Sequence, residues 1–341
     1  MRRDSDKYTQ FGLVRDMLAA TAIVERFDAQ QALDTAEAIA SVGRLLMTGE
    51  GSSRIFPAKN AIAHARRRGW KLELHTEAAR QSQEYDLDGW AVFALSNSGR
   101  TREVIELFSK LQQRGHERLY SLTAFANSKL ESLAAKGYVL ACGEEGAVAA
   151  TKSVIEQALF YRALLEAVAG EKKLAPRLGE LSRQFEQALT MPIAPELADA
   201  IAGASIIFWA GRNEGVAEEL TLKTNEITRK TADFLEGTYA LHGIEEVMSR
   251  DQVLVWIEPY EGSEEKIEDV LVKGVGMKVI AVAGRPTRFP TIQIPDAGDL
   301  AGYVQMAAGW NILVEVGLRS GVNLDKPERA RKVGNEFEGG S

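Results

Sequence analysis

At 341 residues the chain exceeds the roughly 250–300 at which a single hydrophobic core stops growing, so two domains are expected. Hydrophobic residues at 45% and charged residues at 26% fit a globular chain and exclude extended disorder. A net charge of −7 offers no broad basic surface for nucleic acid, and a single cysteine, Cys142, excludes both an internal disulfide and a Cys/His zinc framework.

The opening MRRDSDKYTQ leads into a charged amphipathic stretch, so neither a signal peptide nor a membrane span is expected, and the chain reads as cytoplasmic. Apolar residues at helical spacing predict helices over Phe11 to Glu25 and Ala29 to Ile39. Leu45 to Thr48 then reads as a short strand running into Gly49-Glu50-Gly51-Ser52-Ser53 and a helix from about Phe56 to Arg68. Further short apolar strands are predicted at Leu72 to His75, Ala91 to Leu95, Leu119 to Leu122 and Tyr138 to Ala141, with a helix over Arg102 to Arg114 between them. Such alternation implies a mainly parallel sheet with helices on both faces.

The second half repeats the order, with strands at Ile206 to Trp209, Val253 to Ile257, Lys278 to Val282 and Thr291 to Ile294. Gly49 and Gly211 are 162 residues apart (211 − 49), as are Ser98 and Tyr260 (260 − 98). One offset for two strand-end turns implies two copies of one lobe. The expected division is 1–43 N-terminal helices, 44–170 first lobe, 171–193 connecting helix, 194–320 second lobe and 321–341 C-terminal tail. Trp209, Trp256 and Trp310 fall in strand or helix patterns and are expected in the core; His64, His75 and His116 belong to no motif.

The richest segment is the turn Ser96-Asn97-Ser98-Gly99-Arg100-Thr101, at the carboxyl end of an apolar strand and before a helix. Open α/β sheets bind ligands at such strand ends, and a following helix N-terminus favours an anion. An ordinary serine N-cap accounts for one hydroxyl, but not for Ser96, Asn97, Ser98 and Thr101 together. The turn Gly51-Ser52-Ser53 is a weaker second candidate. It has neither the Lys-Ser/Thr ending of a Walker loop nor a dinucleotide fingerprint, so a nucleotide is not expected.

At these residues the chain resembles the sugar isomerase (SIS) family, and more closely its double-lobe branch. That branch includes the isomerase part of glucosamine-6-phosphate synthase, amino-sugar-phosphate deaminases and fructosamine-phosphate deglycases. The family's Ser-Gln/Asn-Ser-Gly-x-Thr phosphate loop is matched by Ser96, Asn97, Ser98, Gly99 and Thr101, and its Gly-x-Ser turn by Gly51, Ser52 and Ser53. Its sugar-lining Val-Ala-Ser-Thr-Lys segment reads Val148-Ala149-Ala150-Thr151-Lys152, with Glu145 upstream; Ala150 replaces a serine. A Lys-x-x-Glu helix and a His-Gly turn are matched by Lys223, Glu226, His242 and Gly243, and the interval 242 − 226 = 16 is that of the synthase branch. The ending with Pro five residues before Lys is matched by Pro327 and Lys332. Departures are Ile244 in place of the usual proline, Tyr239 in place of an acidic residue, and Arg54 where an aromatic is common.

The resemblance implies an α/β fold of two tandem flavodoxin-like SIS lobes. It also implies an enzyme that acts on an open-chain hexose carrying a C6 phosphate or sulfonate. In its terms Glu226 shuttles a proton between C1 and C2, His242 opens the ring, and Lys332 reaches the sugar carbonyl. Ser53, Ser96, Asn97, Ser98 and Thr101 hold the anion, while Gly51, Ser52, Glu145, Val148, Ala150 and Lys223 line the sugar. His242 is implied to come from a partner subunit, giving a homodimer with shared active sites. No cofactor, metal, nucleic acid, membrane or glutamine amidotransferase domain is expected.

Outside the resemblance, Glu226 reads as a solvated helix glutamate paired with Lys223 or Lys230, His242 as a loop histidine and Lys332 as part of a basic tail. Three readings stay open: an aldose–ketose isomerase or amino-sugar-phosphate deaminase, a deglycase of a fructosamine 6-phosphate, and a non-catalytic sugar-phosphate sensor.

Overall fold

The computed structural model describes residues 1–332 and 334–338; the rest of the tail expected over 321–341, residue 333 and residues 339–341, lies outside the described residues. Two fully parallel five-stranded sheets flanked by helices organise the chain. The strands of the first are β1 (Arg44–Thr48), β2 (Glu73–His75), β3 (Ala91–Leu95), β4 (Leu119–Thr123) and β5 (Lys136–Val139). Those of the second are β6 (Ile206–Gly211), β7 (Thr231–Glu236), β8 (Val253–Ile257), β9 (Lys278–Ala283) and β10 (Thr291–Gln293). The first sheet runs β2-β1-β3-β4-β5 and the second β7-β6-β8-β9-β10. Each therefore has the 2-1-3-4-5 order of a flavodoxin-like sheet, whose switch point lies between its first and third strands.

The central strands β3 and β8 are buried at every residue, as strands covered on both faces must be. Trp209, Trp256 and Trp310 are fully buried core residues. Several predicted boundaries move. The segment over Ala29 to Ile39 is a 3-10 turn, Gln31–Thr35, followed by a helix, Ala36–Val42. The fifth strand starts at Lys136 rather than Tyr138, and the second at Glu73 rather than Leu72. Three elements carry no clear sequence signal. β7 is an edge strand whose only buried residue is Leu235, so its apolar pattern is weak. The helices Lys152–Val168 and Ala301–Arg319 are buried along most of their length, so neither shows an amphipathic stripe.

The chain forms two compact units, neither continuous in sequence. One holds the first sheet and comprises Ala22–Glu145, Ala150–Gly179 and the described residues from Ala330 onward. The other holds the second sheet and comprises Met1–Thr21, Gly146–Ala149 and Glu180–Arg329. In the second-sheet unit the Asp325 carboxylate accepts from the N–H groups of Gly12 and Leu13, both at 2.8 Å, and so caps the helix Gly12–Arg26. Among the described residues, no helix is long and apolar enough to cross a membrane.

Candidate functional site

In the first-sheet unit the turns after β1 and β3 leave adjacent strand ends, because Thr48 pairs with Ala94 in parallel register. They flank the switch point of that sheet. The turns are pressed together at Gly49, where a Cβ would come within 2.8 Å of the Leu95 carbonyl oxygen. Gly99 has φ +64°, and a Cβ there would lie 2.4 Å from that of Ser128, so both conformation and space call for glycine.

The hydroxyls of the β3 turn brace the turn itself. Ser96 is buried, its Oγ lies 2.9 Å from Thr101 Oγ1, and it accepts from Gly99 N–H at 3.1 Å. Ser98 Oγ accepts from Arg100 N–H at 3.1 Å, which leaves its hydroxyl hydrogen for an outside acceptor. Thr101 is the N-cap residue of the helix Arg102–Gln113, yet its side chain makes no cap bond. The ordinary serine-cap reading is therefore not what these hydroxyls do. In the neighbouring turn, Ser53 Oγ accepts from Gln157 Nε2 at 3.5 Å, and Gly51 and Ser52 form the same short 3-10 turn.

Asn97 points to Glu145, the hub of this unit. Glu145 Oε2 accepts from Asn97 Nδ2 at 2.9 Å and from Lys332 Nζ at 3.0 Å. Its Oε1 accepts from the N–H groups of Thr151 at 2.7 Å and Ser153 at 3.3 Å, where the helix Lys152–Val168 begins. The Glu145 side chain is fully buried. Burial by itself would raise its carboxyl, but the Lys332 charge and the Thr151 and Ser153 N–H groups outweigh it and hold the group below the usual carboxylate range. Three positions that the sequence places separately, Asn97, Glu145 and Lys332, are thus brought together.

Sequence reasoning misses how Lys332 is held. Beyond it the tail crosses the start of the helix Arg102–Gln113: Thr101 and Glu336 form an antiparallel bridge. Arg102 N–H donates to Asn335 O at 3.0 Å and Phe337 N–H to Arg100 O at 2.9 Å. Arg100 and Glu336 pair at 2.6 Å, and Phe337 packs against the core cluster that includes Val104 and Phe108. One first-turn N–H of this helix is therefore taken by the chain itself. Glu50 is also unanticipated: burial raises its carboxyl, against an opposing bond from Arg80 N–H.

In the second-sheet unit Lys223 and Glu226 share one face of the helix Val216–Thr228. Lys223 Nζ donates to Glu226 Oε2 at 2.6 Å and lies 3.5 Å from Glu219 Oε1. Lys223 and Glu219 are buried, while Glu226 keeps 29% of its side chain exposed. The pair is the one expected of a helix surface, but its lysine is inside the unit. His242 lies in an exposed segment between Tyr239 and Val247; among the described residues its ring bonds only with Thr238, Nε2 to Oγ1 at 3.4 Å. Val148 N–H donates to Asp325 O at 3.4 Å in this unit, whereas Ala150 belongs to the first-sheet unit.

The second switch point has different chemistry. Glu258 stands where Ser96 does in the first half (258 − 96 = 162), with φ +47°. Its carboxylate accepts from Gly284 N–H at 3.1 Å, and Arg212 donates to its carbonyl at 2.6 Å while stacking 4.3 Å over the Tyr260 ring. A carboxylate thus stands in this turn where the first half has a hydroxyl, and Arg285 Nε lies 3.7 Å from its Oε1. Burial, with the adjoining Glu156, pushes the Cys142 thiol well above its usual range. Among the described residues, no group of three or more His, Cys, Asp or Glu is placed to hold a metal ion.

Known proteins can be set against this geometry. The sequence profile of the SIS domain matches residues 39–167. The chain is 25% identical over 331 residues to the glutamine–fructose-6-phosphate aminotransferase (isomerizing) of Aeropyrum pernix, covering 88% of this chain and 52% of that protein. The chain thus spans about half the length of the curated relative it matches. Its fold is similar to the C-terminal domain of glucosamine-fructose-6-phosphate aminotransferase from Francisella tularensis, with TM-score 0.79 and 16% identity over 95% of this chain and 100% of that one. It is similar also to tagatose-6-phosphate ketose/aldose isomerase from Escherichia coli, with TM-score 0.77 and 17% identity over 95% and 97%.

Proposed function

We propose, for a chain that carries an SIS domain over residues 39–167, that the protein processes a hexose bearing an anion at C6, as an aldose–ketose isomerase or an amino-sugar-phosphate deaminase. The observation that carries this reading is the braced turn Ser96–Thr101 at the first switch point, with Ser98 Oγ able to donate outward. Glu145 supports it by tying that turn, through Asn97, to Lys332. A phosphate at the turn would bring the sugar's far end towards the segment where Lys332 is held.

In the isomerase reaction a carboxylate takes the C2 proton of the open-chain aldose. The resulting enediol takes a proton back at C1, while the O2 proton is lost and O1 gains one. Atoms and charge balance without an oxidant. Glu226 is assigned the carbon-to-carbon transfer and His242 the ring-opening proton transfer, both by resemblance. The exposure of Glu226 and its fixing by a buried lysine suit a group that must meet a substrate. Lys332 is assigned to the carbonyl oxygen or carbon. On an amino-sugar phosphate, the same proton transfer followed by hydrolysis of the ketimine releases ammonia and leaves the ketose phosphate.

A homodimer sharing its active sites, and a cytoplasmic location, form part of the same proposal. The test is a mass-spectrometric screen of phosphorylated and sulfonated hexoses, aminohexoses and fructosamines. Product from a C6-anionic hexose supports the proposal. Tight binding without turnover of any of them would make the protein a sensor instead.

A further inference from the structure

A second recess lies in the first-sheet unit, beside the edge strand β2. Its volume is about 320 Å³. Leu46 and Leu87, both buried, contribute apolar surface. Trp90 adds an aromatic wall, fixed by His75 packed edge-on at 5.3 Å between ring centroids and 77° between planes. Tyr85, 40% exposed, adds a third ring, and Gln81 Nε2 donates to its hydroxyl at 2.5 Å. The remaining lining residues are Glu77 and Asp86.

The charge balance of this recess is one-sided. Among the described residues neither Glu77 nor Asp86 forms an ion pair, and Asp86 accepts only from Asp88 N–H, at 3.0 Å. Two carboxylates without an ion-pair partner share this recess with the rings of Trp90 and Tyr85 and with Leu46 and Leu87, a lining complementary to a positively charged, carbon-rich group. Ring faces attract cations through their quadrupole, and the carboxylates add charge of the same preference. The same features repel a sugar phosphate, so this recess differs in ligand from the turn at Ser96–Thr101.

We propose that the recess is a binding site for a small organic cation, an alkylammonium whose carbon body rests on Leu46 and Leu87 and whose charge meets Trp90, Tyr85, Glu77 and Asp86. This inference does not depend on the proposed sugar chemistry.

Calorimetric titration of the full chain with choline and with n-butylammonium tests it, with 3,3-dimethylbutan-1-ol as an uncharged copy of choline. The expected result is saturable binding of at least one cation at one site per chain, at least ~10-fold tighter than the alcohol. Glu77→Gln with Asp86→Asn should weaken the cation by at least ~10-fold and leave the alcohol unaffected. Trp90→Phe, which keeps a ring, should weaken it less than Trp90→Leu. Both acidic positions are partly or fully exposed, so amide replacement leaves the fold intact, which circular dichroism checks. No saturable binding of either cation, equal affinity for the alcohol, or cation binding unchanged in the double variant would each overturn the proposal.

Discussion

Glu145 receives an ammonium, a side-chain amide and two backbone N–H groups, and it does so with its side chain out of water. A carboxylate held below its ordinary range in the folded state adds stability above its unfolded value of about 4.3, and that stability is lost as pH falls through the folded value. Urea unfolding of the wild type and of Glu145→Gln should therefore differ most near neutral pH, with the gap closing on acidification below about pH 4. A gap independent of pH would mean that the carboxylate's charge is not what binds Asn97 and Lys332. Under the proposed function Glu226 carries the proton transfer. Glu226→Gln should lower kcat by at least ~10²-fold with KM little changed, measured by initial rates on whichever substrate the screen identifies. An unaltered kcat removes Glu226 from the proton transfer. The resemblance singles out Glu226 and Lys223, whose spacing alone reads as an ordinary helix pair, and the structure adds that Lys223 is buried between two glutamates. The link from Glu145 to Lys332 spans 187 residues, and no local pattern encodes such a contact.

The tail segment Asn335 to Phe337 packs on the end of the turn Ser96–Thr101. It adds a short antiparallel pairing to the turn before the helix Arg102–Gln113 and takes the Arg102 N–H. Its anchor is Phe337 in the apolar cluster, reinforced by the Arg100–Glu336 ion pair. Glu336→Ala with Phe337→Ala should therefore speed hydrogen exchange at the Arg102 amide and leave that of the β3 amides unchanged. Unchanged Arg102 exchange would show that the segment does not hold this helix start. Outside the resemblance the tail reads in the sequence as a basic, solvated end, because a single aromatic anchor among charged residues has no periodicity. The helices Lys152–Val168 and Ala301–Arg319 escape for the opposite reason. They are buried on so many sides that the apolar stripe is lost, and the first even buries Arg162 and Glu166 as an ion pair at 2.8 Å.

Across the whole molecule, the offset of 162 recurs in the strands themselves, from β1 to β6 (206 − 44) and from β3 to β8 (253 − 91). Both sheets have the same strand order, in keeping with the single offset between the turns. The repeat does not extend to chemistry. The position of Ser96 in one half is that of Glu258 in the other, and a hydroxyl that braces a turn gives way to a carboxylate. The offset of 162 picks out this pair, whereas the composition of the turns alone does not. The division of the chain into two discontinuous units has no counterpart in composition, because it depends on which distant surfaces pack. The central claim, that the turn Ser96–Thr101 grips the substrate's anion, is tested most directly by calorimetric binding of a hexose 6-phosphate and of the same hexose without phosphate, to the wild type and to Ser98→Ala with Thr101→Ala. The account predicts that the phosphate improves affinity by at least ~10²-fold in the wild type and that most of this gain disappears in the variant. A phosphate gain that survives both substitutions would contradict it.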